Sequence, residues 1–116
     1  MCPDIEPLQL ALREFARARD WEQFHSPRNL ATALSIEASE LLEHFQWLRV
    51  EDGAGVPEGK LSAVEEEMAD VFIYLLRLAD VLGVDLIEVS KAKVEANSRK
   101  YPVDLSRGRS AKYTEL

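Results

Sequence analysis

Residues 62–83 read SAVEEEMADVFIYLLRLADVLG, a long helical pattern. Val64, Met68, Val71, Leu75, Leu78 and Leu82 recur at three- and four-residue steps, which is helical spacing. Ser62 with Glu65 three positions on predicts a capping box at the start, and Gly83 predicts the stop. Phe72, Ile73 and Leu76 fill in the remaining sides, so this helix is apolar around most of its circumference. Such a helix is buried on every side. Four short helices cannot surround it, so the pattern predicts that a second copy of the chain covers part of it.

Outward from this helix, nothing alternates with period two for long enough to make a strand. A first helix is expected from about Ile5 to Arg19, with Ile5, Leu8, Leu12 and Phe15 on one side. The link Asp20–Ser26 follows. Ser26 before Pro27 predicts an N-cap and first-turn proline for a second helix running to about Arg49. Its stripe is Leu30, Leu34, Glu37, Leu41, Phe45 and Leu48, with Glu37 where an apolar residue was due. Glu51 to Gly59 holds three glycines and a proline and reads as a loop. Asp85 with Glu88 predicts the cap of a fourth helix, which Pro102 ends near Tyr101. The expected fold class is therefore all-α, a helical bundle over residues 1–102, with 103–116 as a basic C-terminal tail.

Composition narrows the function classes. The chain has 116 residues, 47% hydrophobic and 30% charged, the profile of one globular domain. Its formal net charge of −7 argues against a general nucleic-acid binder. The charge is uneven: residues 1–90 hold 7 basic and 18 acidic side chains, residues 91–116 hold 7 basic and 3 acidic. The longest apolar run, Val71 to Leu76, is far short of the roughly 20 residues of a membrane span. One cysteine, Cys2, and no visible leader lead to a cytoplasmic expectation.

The acids carry the chemistry. Glu37 and Glu40 on the second helix, and Glu67 and Asp70 on the third, are each spaced i,i+3, so each pair projects from one face. Both pairs fall within or beside apolar stripes. At about 5 Å and an effective dielectric near 20, two carboxylates repel by roughly 3 kcal/mol. Four converging ones call for shared protons or cations. Hard oxygen ligands without His or Cys suit Mg²⁺, with Mn²⁺ or Ca²⁺ as further fits, rather than zinc. His44 follows Glu40 by four and Glu43 by one, so the second helix carries no Glu-x-x-His motif of a di-iron bundle, and no calcium loop is present. Mg²⁺ commonly shares its shell with substrate phosphates, so a phosphate-ester chemistry fits best. Lys93, Asn97, Lys100 and Tyr101 share one side of the fourth helix and could close a phosphate site. Glu43, Glu65 and Glu66 are expected to be solvated or capping. No serine or cysteine has the surroundings of a nucleophile, and His25 and His44 have no partner spacing.

The run Arg19-Asp20-Trp21-Glu22-Gln23-Phe24-His25, then Pro27-Arg28-Asn29-Leu30, resembles MazG-like nucleotide pyrophosphohydrolases of the dCTP pyrophosphatase branch. Glu37-x-x-Glu40, Phe45-Gln46-Trp47, Glu67-x-x-Asp70 with Tyr74, Asn97 and Lys100-Tyr101-Pro102 continue it, over about residues 8–105. The resemblance implies an all-α fold whose subunits pair to complete a four-helix core, often as a dimer of dimers. It implies Mg²⁺-dependent hydrolysis of a nucleoside triphosphate between the α and β phosphates, with dCTP or a modified dCTP as the substrate to expect. It further implies that Glu37, Glu40, Glu67 and Asp70 hold the metal. Trp21 and Trp47 would contact the base, with Tyr74, Lys93, Asn97 and Tyr101 near sugar and phosphates. Vertebrate members of the branch place a histidine on the first helix against the base, where this chain has Leu12, which cannot hydrogen-bond. The competing reading from another class is a nucleotide-binding or helical interaction module without turnover.

Overall fold

In the computed structural model, residues 4–48, 55–56 and 59–116 are described. They form α1 (Ile5–Ala18), α2 (Pro27–Glu43), α3 (Leu61–Leu82), α4 (Leu86–Lys100) and a short α5 (Val103–Ser106). Single 3-10 turns occupy Glu22–Phe24 and Tyr113–Glu115. No strand occurs among the described residues, and none of their helices is long and apolar enough to cross a membrane.

The caps follow the chemistry of the sequence. Ser26 accepts a hydrogen bond from Asn29 N–H at 3.1 Å, with Pro27 in the first turn of α2. Asp85 accepts from Glu88 N–H at 3.2 Å and opens α4. Gly83 closes α3 at φ 68°, a left-handed conformation that glycine reaches without a Cβ penalty. Two expectations need correction. α3 begins at Leu61 with Lys60 before it and no side-chain cap, so Ser62 lies inside the helix and forms no capping box. α2 stops at Glu43, and His44–Trp47 turn away. Arg49 and most of the expected loop lie outside the described residues.

α3 is the centre of the packing: α2 makes an extensive contact with it, and α1 a smaller one. Leu30, Val64, Leu76 and Ala79 are buried at these contacts, with Ala16 from α1. The buried line of α1 runs through Gln9 and Ala16, one position on from the expected stripe. Small Ala16 lets α1 approach closely, while Phe15 stays half exposed and turns to a neighbouring cleft.

α4 departs from the expected bundle. It buries none of its residues and makes no extensive contact with α1, α2 or α3. The radius of gyration is 17.8 Å, against about 13 Å for a compact chain of this length. On α3, Leu61, Met68, Phe72 and Leu82 remain exposed. The residues beyond Pro102 carry α5 and the second 3-10 turn, so this stretch is not without structure. Tyr113 stacks edge-on to Tyr101 at 6.2 Å, and Lys100 lies 5.0 Å from the Tyr113 ring.

Candidate active site

The site begins at the end of α1. Asp20 takes φ 55°, and the N–H groups of Asp20 and Trp21 donate to the carbonyls of Arg17 and Ala16 at 3.1 and 2.9 Å. This is a Schellman-type closure with aspartate in the position that glycine usually holds. The turn folds Trp21 back over α1, where it meets Phe15 edge-to-face at 5.7 Å. The Arg19 guanidinium covers the Phe15 ring at 3.6 Å. Gln23 donates to Asp20, and Asn29 donates to the Phe24 carbonyl at 3.0 Å, tying the link to α2.

Behind this link lies a cleft of about 370 Å³. Leu12 and Phe15 of α1 form one wall, and Trp21 and His25 form the entry side. Asp70, Ile73, Tyr74 and Arg77 of α3 form the floor. Such a volume lies within the range of small-ligand pockets, and its walls are aromatic and aliphatic.

At the Asp70 end the acids gather. Glu37, Glu67 and Asp70 each bring a carboxylate oxygen within 4.8 Å of the others. Glu37 and Glu67 are half-buried, and Oε2 of each is shielded from water with no hydrogen-bond partner. Burial pushes the Glu37 carboxyl up to about 7, helped by the carboxyls of Glu67 and Glu40, which favour a shared proton and repel its charge. Two orphaned carboxylate oxygens on facing helices are costly unless something binds them. An all-oxygen donor set fits a hard divalent cation.

The structure treats the residues singled out above unequally. It brings Glu37, Glu67 and Asp70 together, with Glu40 beside Glu37 but outside the trio. Trp21 and Tyr74 line the cleft, and so does Leu12. Trp47 does not; it is 86% exposed in the turn that follows α2. Lys93 and Asn97 are exposed on α4, and Tyr101 packs with Tyr113, so one chain does not bring these three to the cleft. Glu43, Glu65 and Glu66 are exposed, as expected. Phe15, His25, Ile73 and Arg77 are cleft residues to which the sequence reading gave no role there. Arg77 had a signal, as the lone charge within the apolar run Val71–Ala79.

A trio of carboxylates on two packed helices, next to an aromatic-walled cleft, forms an all-α site whose oxygens could hold a metal ion. The chain belongs to the MazG-like family, which matches residues 32–116. It is 47% identical to dCTP pyrophosphatase 1 of Mus musculus over 116 residues, covering 98% of this chain and 68% of that protein. The Homo sapiens dCTP pyrophosphatase 1 is also 47% identical, over 118 residues with the same coverage. A pyrophosphatase crystal structure from Archaeoglobus fulgidus superposes with a TM-score of 0.81 at 48% identity, covering 88% of this chain and 95% of that one.

Proposed function

We infer that the chain is a nucleoside triphosphate pyrophosphohydrolase acting on dCTP or a close cytosine relative. It releases the monophosphate and pyrophosphate. The observation that carries this reading is the pair of orphaned oxygens, Glu37 Oε2 and Glu67 Oε2, next to the cleft that Asp70 shares with Trp21 and Tyr74. The relatives named dCTP pyrophosphatase supply the substrate class.

Glu37, Glu67 and Asp70, with Glu40 one turn along, would hold Mg²⁺ (or Mn²⁺), which when bound neutralises phosphate charge and acidifies water. Trp21 and Phe15 offer faces on which a base stacks, worth roughly 1–3 kcal/mol. Asp70 belongs to both cleft and acid trio, so a base held by Trp21 has its phosphates directed at the acids. Hydrolysis then forms a bond from water oxygen to phosphorus and breaks the α–β bridging bond, the carboxylates taking the proton of the water.

The active unit is an oligomer of at least two copies. Support comes from α4, which buries none of its residues, and from the exposed apolar side chains Met68, Phe72 and Leu82 on α3. Pairing would complete a four-helix core and bring Trp47, Lys93, Asn97 and Tyr101 to the cleft of a neighbouring copy. Pyrophosphate release from a nucleotide panel with and without Mg²⁺ tests the activity.

A further inference from the structure

Arg77 is 8% exposed in the middle of α3. Its Nε donates to Nδ1 of His25 at 3.1 Å, and its Nη1 donates to Asp80 Oδ2 at 3.0 Å. Asp80 is gripped from α1 as well: Arg13 donates through Nη2 to Oδ1 at 2.6 Å and through Nε to Oδ2 at 3.1 Å. The two guanidinium groups hold the Asp80 carboxyl below its ordinary range, Arg13 contributing first. Arg77 shares the one Asp80 carboxylate with Arg13, so its charge is only partly offset, but it is nearly buried and two of its donor nitrogens are engaged. That arrangement does not suit a phosphate ligand. It suits a clamp on the imidazole.

A neutral imidazole carries one N–H, and the hydrogen bond at one nitrogen decides where it sits. With Nδ1 accepting from Arg77, the proton resides on Nε2. Burial and the neighbouring guanidinium both push the His25 pKa down, so the ring stays neutral. His25 and Arg77 line the same cleft as Trp21 and Phe15. We propose that Arg77 is a positioning residue that locks His25 as its Nε2–H tautomer, giving the cleft a fixed neutral donor for an acceptor atom on the edge of the base. This rests on the nucleotide reading of the cleft. It also supplies an edge contact that Leu12 cannot make.

The tautomer is read directly from ¹⁵N–¹H long-range correlation of the full chain, which has two histidines, assigned through His44→Gln. The wild type should show His25 in the Nε2–H pattern alone at neutral pH. Arg77→Lys keeps a charge but carries its donors on one nitrogen of a flexible stem, so it does not reproduce the planar fork that reaches His25 and Asp80 from separate nitrogens. It should populate both tautomers and raise KM about tenfold with kcat little changed. In a His25→Leu background the same substitution should leave KM where it stands, because the residue through which Arg77 acts is gone. His25→Gln, which retains a donor, should rescue most of the KM lost in His25→Leu. If Arg77→Lys does not fold, the wild-type spectrum and the Gln-against-Leu comparison decide. An Nδ1–H or mixed pattern in the wild type overturns the lock, as does an equal KM rise in both backgrounds. A wild type that shows the locked pattern but hydrolyses no nucleotide overturns the enzymatic reading and leaves the lock standing.

Discussion

Glu37 and Glu67 face each other across the α2–α3 contact with their Oε2 atoms buried and unpartnered. A helix contact that should be apolar is instead built around two acids. Removing the charge from one of them should therefore stabilise the metal-free chain.

The sign of that effect depends on pH. The folded chain holds the Glu37 proton up to about 7, above the ordinary glutamate range. Its stabilising contribution is full below that ordinary range and is lost as pH rises through about 7. His25 works oppositely: its lowered pKa gives stability that is lost as pH falls below the usual histidine range. A comparison with Glu37→Gln separates the two. In EDTA the variant should match the wild type near pH 5 and melt about 5 °C higher near pH 8. Mg²⁺ at pH 8 should raise the wild-type Tm more than that of the variant. Equal melting at both pH values would remove Glu37 from the acid cluster.

Glu40 stands outside the converging trio. Glu40→Gln should keep the fold and weaken Mg²⁺ activation by about 10–100-fold, the range for a residue that supports a metal shell. Titration of activity against Mg²⁺ reads this, and an unchanged midpoint and rate would show that Glu40 takes no part.

Helices were legible in the sequence because their caps and periods are local. Ser26, Gly83 and Asp85 do what their residue types dictate. That Glu37, Glu67 and Asp70 lie near one another was legible because i,i+3 spacing fixes a face and Glu37 breaks an otherwise apolar stripe; that Glu40 stands outside this trio was not. What was not legible is long-range. Arg77 meets His25 across 52 positions, and Arg13 meets Asp80 across 67. No local pattern encodes such pairs. The sparse packing of α4 was equally hidden, because an amphipathic pattern is the same whether its cover is its own chain or another. α1 shows the finer limit: the apolar stripe placed Phe15 inward, but Gln9 and Ala16 are the buried positions.

The tryptophans test the assembly. Trp21→Ala should raise KM for every nucleotide by roughly 5–100-fold, since stacking ignores base identity. Trp47→Ala should do the same only if Trp47 reaches a neighbour's cleft. Mixing Trp47→Ala with Glu37→Gln chains, each weak alone, would then rebuild one intact site in each mixed pair. About a quarter of wild-type activity should return in a randomly mixed dimer. No recovery would place Trp47 outside the neighbour's site.

The exposed face of α3 gives a second view of assembly. Phe72→Asp should shift the chain to monomers and lower its activity, because a charge there forbids an apolar contact. Light scattering at micromolar concentration checks it. An unmutated chain that is already monomeric would show that the active unit is not an oligomer.

In this mechanism the acids and the cleft together split nucleoside triphosphates. Purified chain with Mg²⁺ and separately dCTP, dTTP, dUTP and dATP, assayed for pyrophosphate and monophosphate, tests it most directly. Equimolar pyrophosphate and monophosphate should appear, fastest from dCTP, and should be abolished by EDTA and by Glu37→Gln. Tight nucleotide binding without pyrophosphate release from any of the four, under saturating Mg²⁺ or Mn²⁺, would contradict it.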